Sequence, residues 1–241
     1  MLGLSQYVKK AKKNLFLIAD SGDPFYYSKQ VSKAPWFKPL EKNVYKCFDF
    51  LCIPTENAIP LYSPLLPMEK IKIIPQGFRM DNLKLYDGPL DGTVKFAYAG
   101  VFYWDIRNPK FLFDYLDTLD MDFEFHLYMR EMDPNLGDLL EGKPALKKKI
   151  FIDSLPHDEL IYELSRMNFL INIENISNTQ MPSKLIDYGM AGRPIYSCKK
   201  SSFSPVVFNN FLEGKYDGQY VVDVEQYDIK NIADKFLSLK K

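Results

Sequence analysis

The sequence predicts an α/β protein: a Rossmann-like parallel sheet with helices on both faces, preceded by an incomplete second α/β segment. Two observations carry this. From Gly92 onward, short apolar, β-branched and aromatic runs recur at Val94 to Ala99, Phe123 to Met129, Lys149 to Ile152, Phe169 to Ile173, Pro194 to Cys198 and Gln219 to Val222, their starts 20 to 29 residues apart. Such spacing holds one strand and one crossover helix, which is how parallel strands must be joined. The stretches between them are amphipathic. Phe111, Leu112, Tyr115, Leu116 and Leu119 share one helical face, as do Leu160, Ile161 and Leu164, with Asp158 and Glu159 in a first turn where the helix dipole favours acids. The reading is therefore six strand-helix units.

The first 80 residues read as the same kind of material, with candidate strands at Leu15 to Ala19, Leu51 to Ile53 and Ile71 to Ile74 and helix-like stretches near 3–13, 38–47 and 55–63. Three strands make a poor doubly wound domain, hence the expectation of an incomplete segment. Gln76 to Thr93 carries Gly77, Asp81, Asn82, Asp87, Gly88, Pro89, Asp91 and Gly92, which is turn chemistry between two apolar blocks. The expected division is 1–80, a linker at 81–93, and 94–241.

Composition narrows the function classes. With 31 Lys plus Arg against 31 Asp plus Glu the chain is charge-balanced, so binding to nucleic acid by bulk charge is not expected. Cys47, Cys52, Cys198, His126 and His157 show neither CxxC nor HExxH spacing, which disfavours a disulfide framework and a zinc site and suggests a reduced, cytoplasmic chain. Leu15 to Ala19, five apolar residues, is too short for a signal-peptide core or a membrane span. The cluster Lys9, Lys10, Lys12 and Lys13 reads as a solvated helix face, with a peripheral contact at the inner membrane surface as the alternative.

Open parallel sheets bind ligands at the carboxyl ends of their strands. The loops found there carry Gly100, Tyr103, Trp104 and Arg107 after the first strand of the larger sheet, Arg130 and Glu131 after the second, Asp153 and Ser154 after the third, and Glu174, Asn175, Asn178 and Thr179 after the fourth. The fourth loop leads into Met181-Pro-Ser-Lys-Leu-Ile-Asp-Tyr-Gly-Met-Ala-Gly-Arg-Pro-Ile195. Pro182 suits a first helical position and Gly192 the position past the end. The amino terminus of that helix, with the backbone N–H groups of Ser183 and Lys184, offers a site for phosphate oxygens, and the Lys184 ammonium adds a full charge. Asp187, three residues on, lies on the same face, where a carboxylate can accept from two neighbouring hydroxyls. A phosphate clamp and a diol clamp one turn apart fit a ribose diphosphate. Spacing alone leaves equally open a capped helix with a surface ion pair between Lys184 and Asp187.

The run PSKLIDYGMAGRPI resembles the donor-binding signature of nucleotide-sugar-dependent glycosyltransferases of the GT-B fold, close to family 4. Lys70-Ile-Lys-Ile-Ile-Pro-Gln-Gly-Phe78 is similar to that family's passage from acceptor domain to donor domain, and Phe96-Ala-Tyr-Ala-Gly100 with Arg107-Asn-Pro109 to its first donor strand, glycine loop and basic residue. Leu155-Pro-His-Asp-Glu-Leu160 agrees in order, so the match runs from about residue 48 to 198. The resemblance implies that Arg107 and Lys184 neutralise the diphosphate, that Ser183 donates to it, that Asp187 holds the ribose, and that Asp153 and Ser154 lie near the base. It also implies a UDP- or GDP-linked sugar as substrate with no further cofactor, a glycan or lipid-linked acceptor, metal-independent transfer with retention, and polysaccharide or glycoconjugate synthesis as the setting.

Two departures accompany it. The family commonly has a Glu eight positions before Asp187, where this chain has Thr179. A GT-B enzyme also has two complete halves with the reaction between them, whereas only the last part of the acceptor half is legible, beginning near Asp20-Ser-Gly-Asp-Pro24. A catalytically inactive nucleotide-binding or scaffold protein that keeps the donor pocket is the alternative, and exposed apolar surface or self-association is expected where the missing strands would pack. The DxD at Asp120-Met-Asp122 precedes a strand, at the wrong edge of the sheet for a metal-diphosphate site, and a Rossmann oxidoreductase is disfavoured by the lack of GxGxxG after a strand.

Overall fold

A computed structural model describes residues 15–22, 25–26, 34–90, 92–105, 107–174 and 183–240. These fall into two compact units, one of the described residues up to Arg79 together with those from Glu225, the other of those between Met80 and Val224.

The first unit holds β1 (Ile18–Asp20), α1 (Phe37–Tyr45), β2 (Phe50–Ile53), a 3-10 turn at Glu56–Ala58 running into α2 (Ile59–Tyr62), and β3 (Ile71–Ile73). The strands pair in parallel in the order β1-β2-β3, with Ala19 opposite Leu51 and Cys52 opposite Lys72. Leu51 and Ile53 are fully buried against Tyr62, Leu65 and Ile71, which is why so small a sheet persists: its central strand is apolar on both faces. Glu41, buried on α1, accepts the backbone N–H groups of Phe25 and Tyr26 at 2.9 Å each. The expected helix near 3–13 and its lysine cluster lie outside the described residues.

The second unit carries β4 (Val94–Ala99), α3 (Lys110–Leu116), β5 (Phe123–Tyr128), α4 (Pro134–Glu141), α5 (Pro144–Lys147), β6 (Ile150–Asp153), α6 (His157–Ser165), β7 (Phe169–Ile173), α7 (Lys184–Ala191), β8 (Ile195–Cys198) and α8 (Pro205–Leu212). The chain then returns to the first unit through α9 (Ile229–Ser238), where Ile232 packs with Cys52 and Ile74. The larger sheet is parallel throughout, in the order β6-β5-β4-β7-β8. Its faces are packed differently. One carries the aromatic cluster of Phe96, Phe125, Phe169, Phe208 and Phe211, with Phe96 and Phe169 stacked at 4.9 Å. The other carries the small side chains Ala97 and Ala99, and on it α7 lies close through Leu185, Tyr188 and Ala191.

The α/β class with parallel sheets flanked by helices is as the sequence predicts, but the sixth strand is not formed. Residues 219–222 make one backbone bond towards the sheet, from the Tyr220 N–H to the Ile195 carbonyl at 2.8 Å, and then leave it. Val222 and Val224 instead pack on α7 at Gly189, so closely that a β-carbon there would meet a Val224 methyl. Alternating apolar residues suit a strand or a strap across a helix equally well, and here the contact with Gly189 decides. Among the described residues no helix is long and apolar enough to cross a membrane.

Candidate functional site

The first turns of α7 lie at the carboxyl end of β4, with His157 at the start of α6 and Cys198 at the end of β8 as neighbours. Helix α7 is stopped by Gly192, which takes a left-handed φ of 68°, and is fixed at its middle by Tyr188, which is wholly buried and whose hydroxyl accepts the Ala99 N–H at 2.7 Å. One hydrogen bond thus ties α7 to the last residue of β4. Lys184, one turn earlier, is delivered to the same strand end.

Lys184 is 8% exposed, and its ammonium has no hydrogen-bond partner among the described residues. Its ammonium lies over the Tyr98 ring, whose centroid is 4.2 Å from Nζ. Burial holds its pKa well below the lysine range, and the positive charge of Arg107 pushes the same way, with a weaker opposing effect from Cys198. The surface ion pair with Asp187 that spacing left open is therefore not what this side chain makes.

Arg107 comes from the loop after β4, which turns at Gly100 with φ of 116°, a left-handed conformation with open space where a side chain would stand. Its guanidinium lies over the Tyr103 ring at 4.9 Å, and its Nε is buried without a partner among the described residues. Burial raises the Tyr98 hydroxyl to about 12, partly offset by the Arg107 charge, so both cations are felt at this one ring. Two cations, one on α7 and one from the loop after β4, thus lie near one ring, each with an unsatisfied donor and no carboxylate paired to it among the described residues.

Asp187 is largely buried, and burial raises its pKa against the opposing pull of His157. His157, the first residue of α6, holds it: Nε2 lies 3.0 Å from Asp187 Oδ1, while Nδ1 lies 3.4 Å from Asp158 Oδ1. Asp153 and Ser154 are exposed at the end of β6 and bond to each other, the Ser154 N–H donating to Asp153 Oδ1 at 2.7 Å. Ser183 is exposed at the start of α7, its side chain making no cap bond. Thr179, Asn175, Asn178 and Pro182 lie outside the described residues.

Sequence reasoning brings Lys184 and Arg107 together but assigns no role to three other elements here. His157 was legible only as part of a resembling segment, although Pro156 before two acids already marks it as a helix start beside a strand end. Tyr188 looks like ordinary helix filling. Asn172 had a readable signal, being the one polar residue of the all-buried strand β7. Its amide donates to Ser197 Oγ at 2.7 Å, which donates to Glu174 Oε1 at 3.0 Å, while its own Oδ1 is buried without a partner.

No protein-family model matches the chain, and no curated protein matches it in sequence. Solved structures do match. The chain is similar to Anabaena HepE crystallised with UDP, at 8% identity over 99% of this chain and 75% of that one, with a TM-score of 0.70. It is similar to the lipopolysaccharide outer core galactosyltransferase WaaB, at 11% identity over 99% of this chain and 73% of that one, TM-score 0.60. WaaG, a glycosyltransferase involved in lipopolysaccharide biosynthesis, matches at 11% identity over 96% of this chain and 80% of that one, TM-score 0.59. At such identities the likeness establishes the fold, which is that of GT-B glycosyltransferases.

Proposed function

We propose that this chain is a glycosyltransferase that takes a sugar from a UDP- or GDP-linked donor and passes it to a glycan or lipid-linked acceptor, in the manner of family 4. The observation that carries the reading is Lys184. A buried ammonium without a partner is unfavourable in the free protein and becomes favourable only when an anion enters. Arg107, likewise unsatisfied at Nε, faces the same ring cluster from a second loop. A diphosphate, doubly charged and with oxygens on two phosphorus atoms, suits two converging cations at a helix amino terminus.

The chemistry follows from charge. Breaking the anomeric C–O bond leaves the electron pair on the β-phosphate oxygen and an oxocarbenium-like sugar, which the acceptor hydroxyl captures as it gives up its proton. Lys184, Arg107 and the amino terminus of α7 face the charge that grows on the phosphate, each contributing on the order of 2–3 kcal/mol in a closed site. Asp187 holds the ribose hydroxyls and the exposed Asp153 and Ser154 border the base, with Gly100 leaving room for the donor. Retention and metal independence belong to the same reading, as does a place in polysaccharide assembly. A peripheral contact with an anionic bilayer is supported by α1, where Trp36 is 66% exposed, Leu40 is exposed, and Lys42 and Lys46 flank them while Glu41 is turned inward.

Isothermal titration with UDP, GDP and ADP, followed by an assay of donor hydrolysis with the sugar nucleotide of the best binder, tests the reading. Binding of a diphosphate far above the matching nucleoside, with turnover, supports it. Equal affinity for the two refutes the site, and tight binding without turnover would make the chain a nucleotide-binding scaffold.

A further inference from the structure

His157 is unusual in having a carboxylate at each ring nitrogen. Nε2 faces Asp187 of α7 at 3.0 Å and Nδ1 faces Asp158 of its own helix at 3.4 Å, and these are the charged groups that address the ring among the described residues. A neutral imidazole has one N–H and can satisfy one of them; only the imidazolium donates to both. The amino terminus of α6 opposes a positive charge at its first residue, so the two carboxylates must outweigh it. Asp187, for its part, is mostly removed from water, and His157 is the one hydrogen-bond partner of its side chain among the described residues, which leaves Oδ2 to other donors.

We infer that His157 is a positioning residue that pins Asp187 through Oδ1, presents Oδ2 to the donor ribose, and thereby makes donor affinity depend on the protonation of the imidazole. This rests on the donor-site reading above. The logic is that of a buried acid that needs a fixed donor to stay oriented. With the imidazolium in place, Asp187 is held as a carboxylate in one rotamer. Once the ring loses a proton to solvent, one of its two bonds has to be given up, and Asp187, still a carboxylate, is held by a neutral donor or by none. The direction follows: donor affinity is greatest while His157 is charged and falls as pH rises through its pKa, which its acidic neighbours raise above the ordinary value of 6.5 against the effect of burial. The link also joins the loop after β6 to α7, so a signal that moves one of the two bears on the other.

The test compares UDP affinity by isothermal titration at about pH 6 and about pH 8.5 for the wild type, His157→Gln, which keeps an uncharged donor, and His157→Ala. The protonation of UDP itself is common to all three and cancels in the comparison. The expected result is an additional loss of roughly three- to tenfold at the higher pH in the wild type that is missing from both variants, with His157→Gln binding better than His157→Ala. Parallel pH profiles for wild type and His157→Gln would overturn the inference, as would equal affinities of the two variants. A second measurement needs no ligand: the His157 ring resonances should titrate above 6.5 in the wild type and shift downward in Asp187→Asn, and an unchanged titration would also overturn it. Failure of the donor-site reading looks different, since UDP would then not bind the wild type or would be indifferent to Lys184→Ala, and this inference would fall with it.

Discussion

Replacing Lys184 with Met should make the protein more stable and less able to bind its donor. Methionine is nearly the same length and keeps contact with the Tyr98 face, but it carries no charge to be stripped of water. The protein holds Lys184 at 8% exposure with no hydrogen-bond partner among the described residues, for which a cost of about 1–3 kcal/mol is the ordinary figure, and more for a charge. The Tyr98 ring at 4.2 Å offsets part of this, about 2 kcal/mol for a desolvated cation over an aromatic face, of which a methionine sulfur on the same ring would keep about 1 kcal/mol. The net gain for the Met variant is then up to about 2 kcal/mol, which for a chain of this size moves the midpoint of thermal unfolding upward by up to roughly 8 °C. Over the same substitution UDP affinity should fall by at least tenfold, the equivalent of about 1.4 kcal/mol.

The proton linkage has a definite sign. Because the fold lowers the pKa of Lys184 from 10.5, the unfolded chain binds this proton between the two values and the native chain does not, so native stability rises with pH across that window. The Met variant should lose this slope. Diphosphate binding should restore the proton to Lys184, detected as proton uptake in titrations run in buffers of different ionisation enthalpy. Differential scanning calorimetry with the two titrations reads all three quantities. A variant destabilised by more than about 1 kcal/mol with unchanged UDP affinity would mean that Lys184 is a structural residue, and the reasoning from its missing partner would be wrong.

Three more outcomes are expected. Arg107→Ala should weaken UDP by roughly 1–3 kcal/mol and leave uridine unchanged, whereas Asp187→Ala should weaken both, since the ribose is common to them; titration of each variant against both ligands reads the pattern. Turnover of the donor should persist in excess EDTA, and its abolition with recovery on adding a divalent cation would refute metal independence. Trp36→Ser combined with Leu40→Ser should reduce sedimentation with vesicles containing anionic lipid while leaving UDP affinity intact, and unchanged sedimentation would remove α1 from the membrane reading.

What was legible in the sequence is what depends on local pattern. Strands β4 and β7 end where their apolar runs end, and Gly192 stops α7 as a glycine after a helix should, because each of these is decided within a few residues. The predicted strand at Gln219 to Val222 failed for the opposite reason. Whether its valines pair with Ile195 or pack on Gly189 is settled by a helix thirty residues away, and alternation in sequence is the same in both cases. The site divides along the same line. Lys184 and Arg107 announce themselves by residue type, but their spacing says nothing about partners.

That missing information is also what turns a motif into a mechanism. A lysine three residues before an aspartate on a helix is, in sequence, as good an ion pair as a ligand site, and an ion pair would have left Lys184 satisfied and of little consequence. The fold separates them: Tyr188 docks the helix on the end of β4, which carries Lys184 to the Tyr98 ring beside Arg107, while His157 arrives from the loop after β6 and takes Asp187. The would-be pair is thus split, Asp187 going to an imidazole and Lys184 to an aromatic face, with no carboxylate paired to it among the described residues. A hydrophobic residue of the same volume would often fold better than a buried cation with no partner, so its retention favours the proposal that a ligand supplies one. The strength of the functional reading therefore lies less in the presence of Lys184 in a suggestive segment than in the fold having withheld from it the acid three residues away.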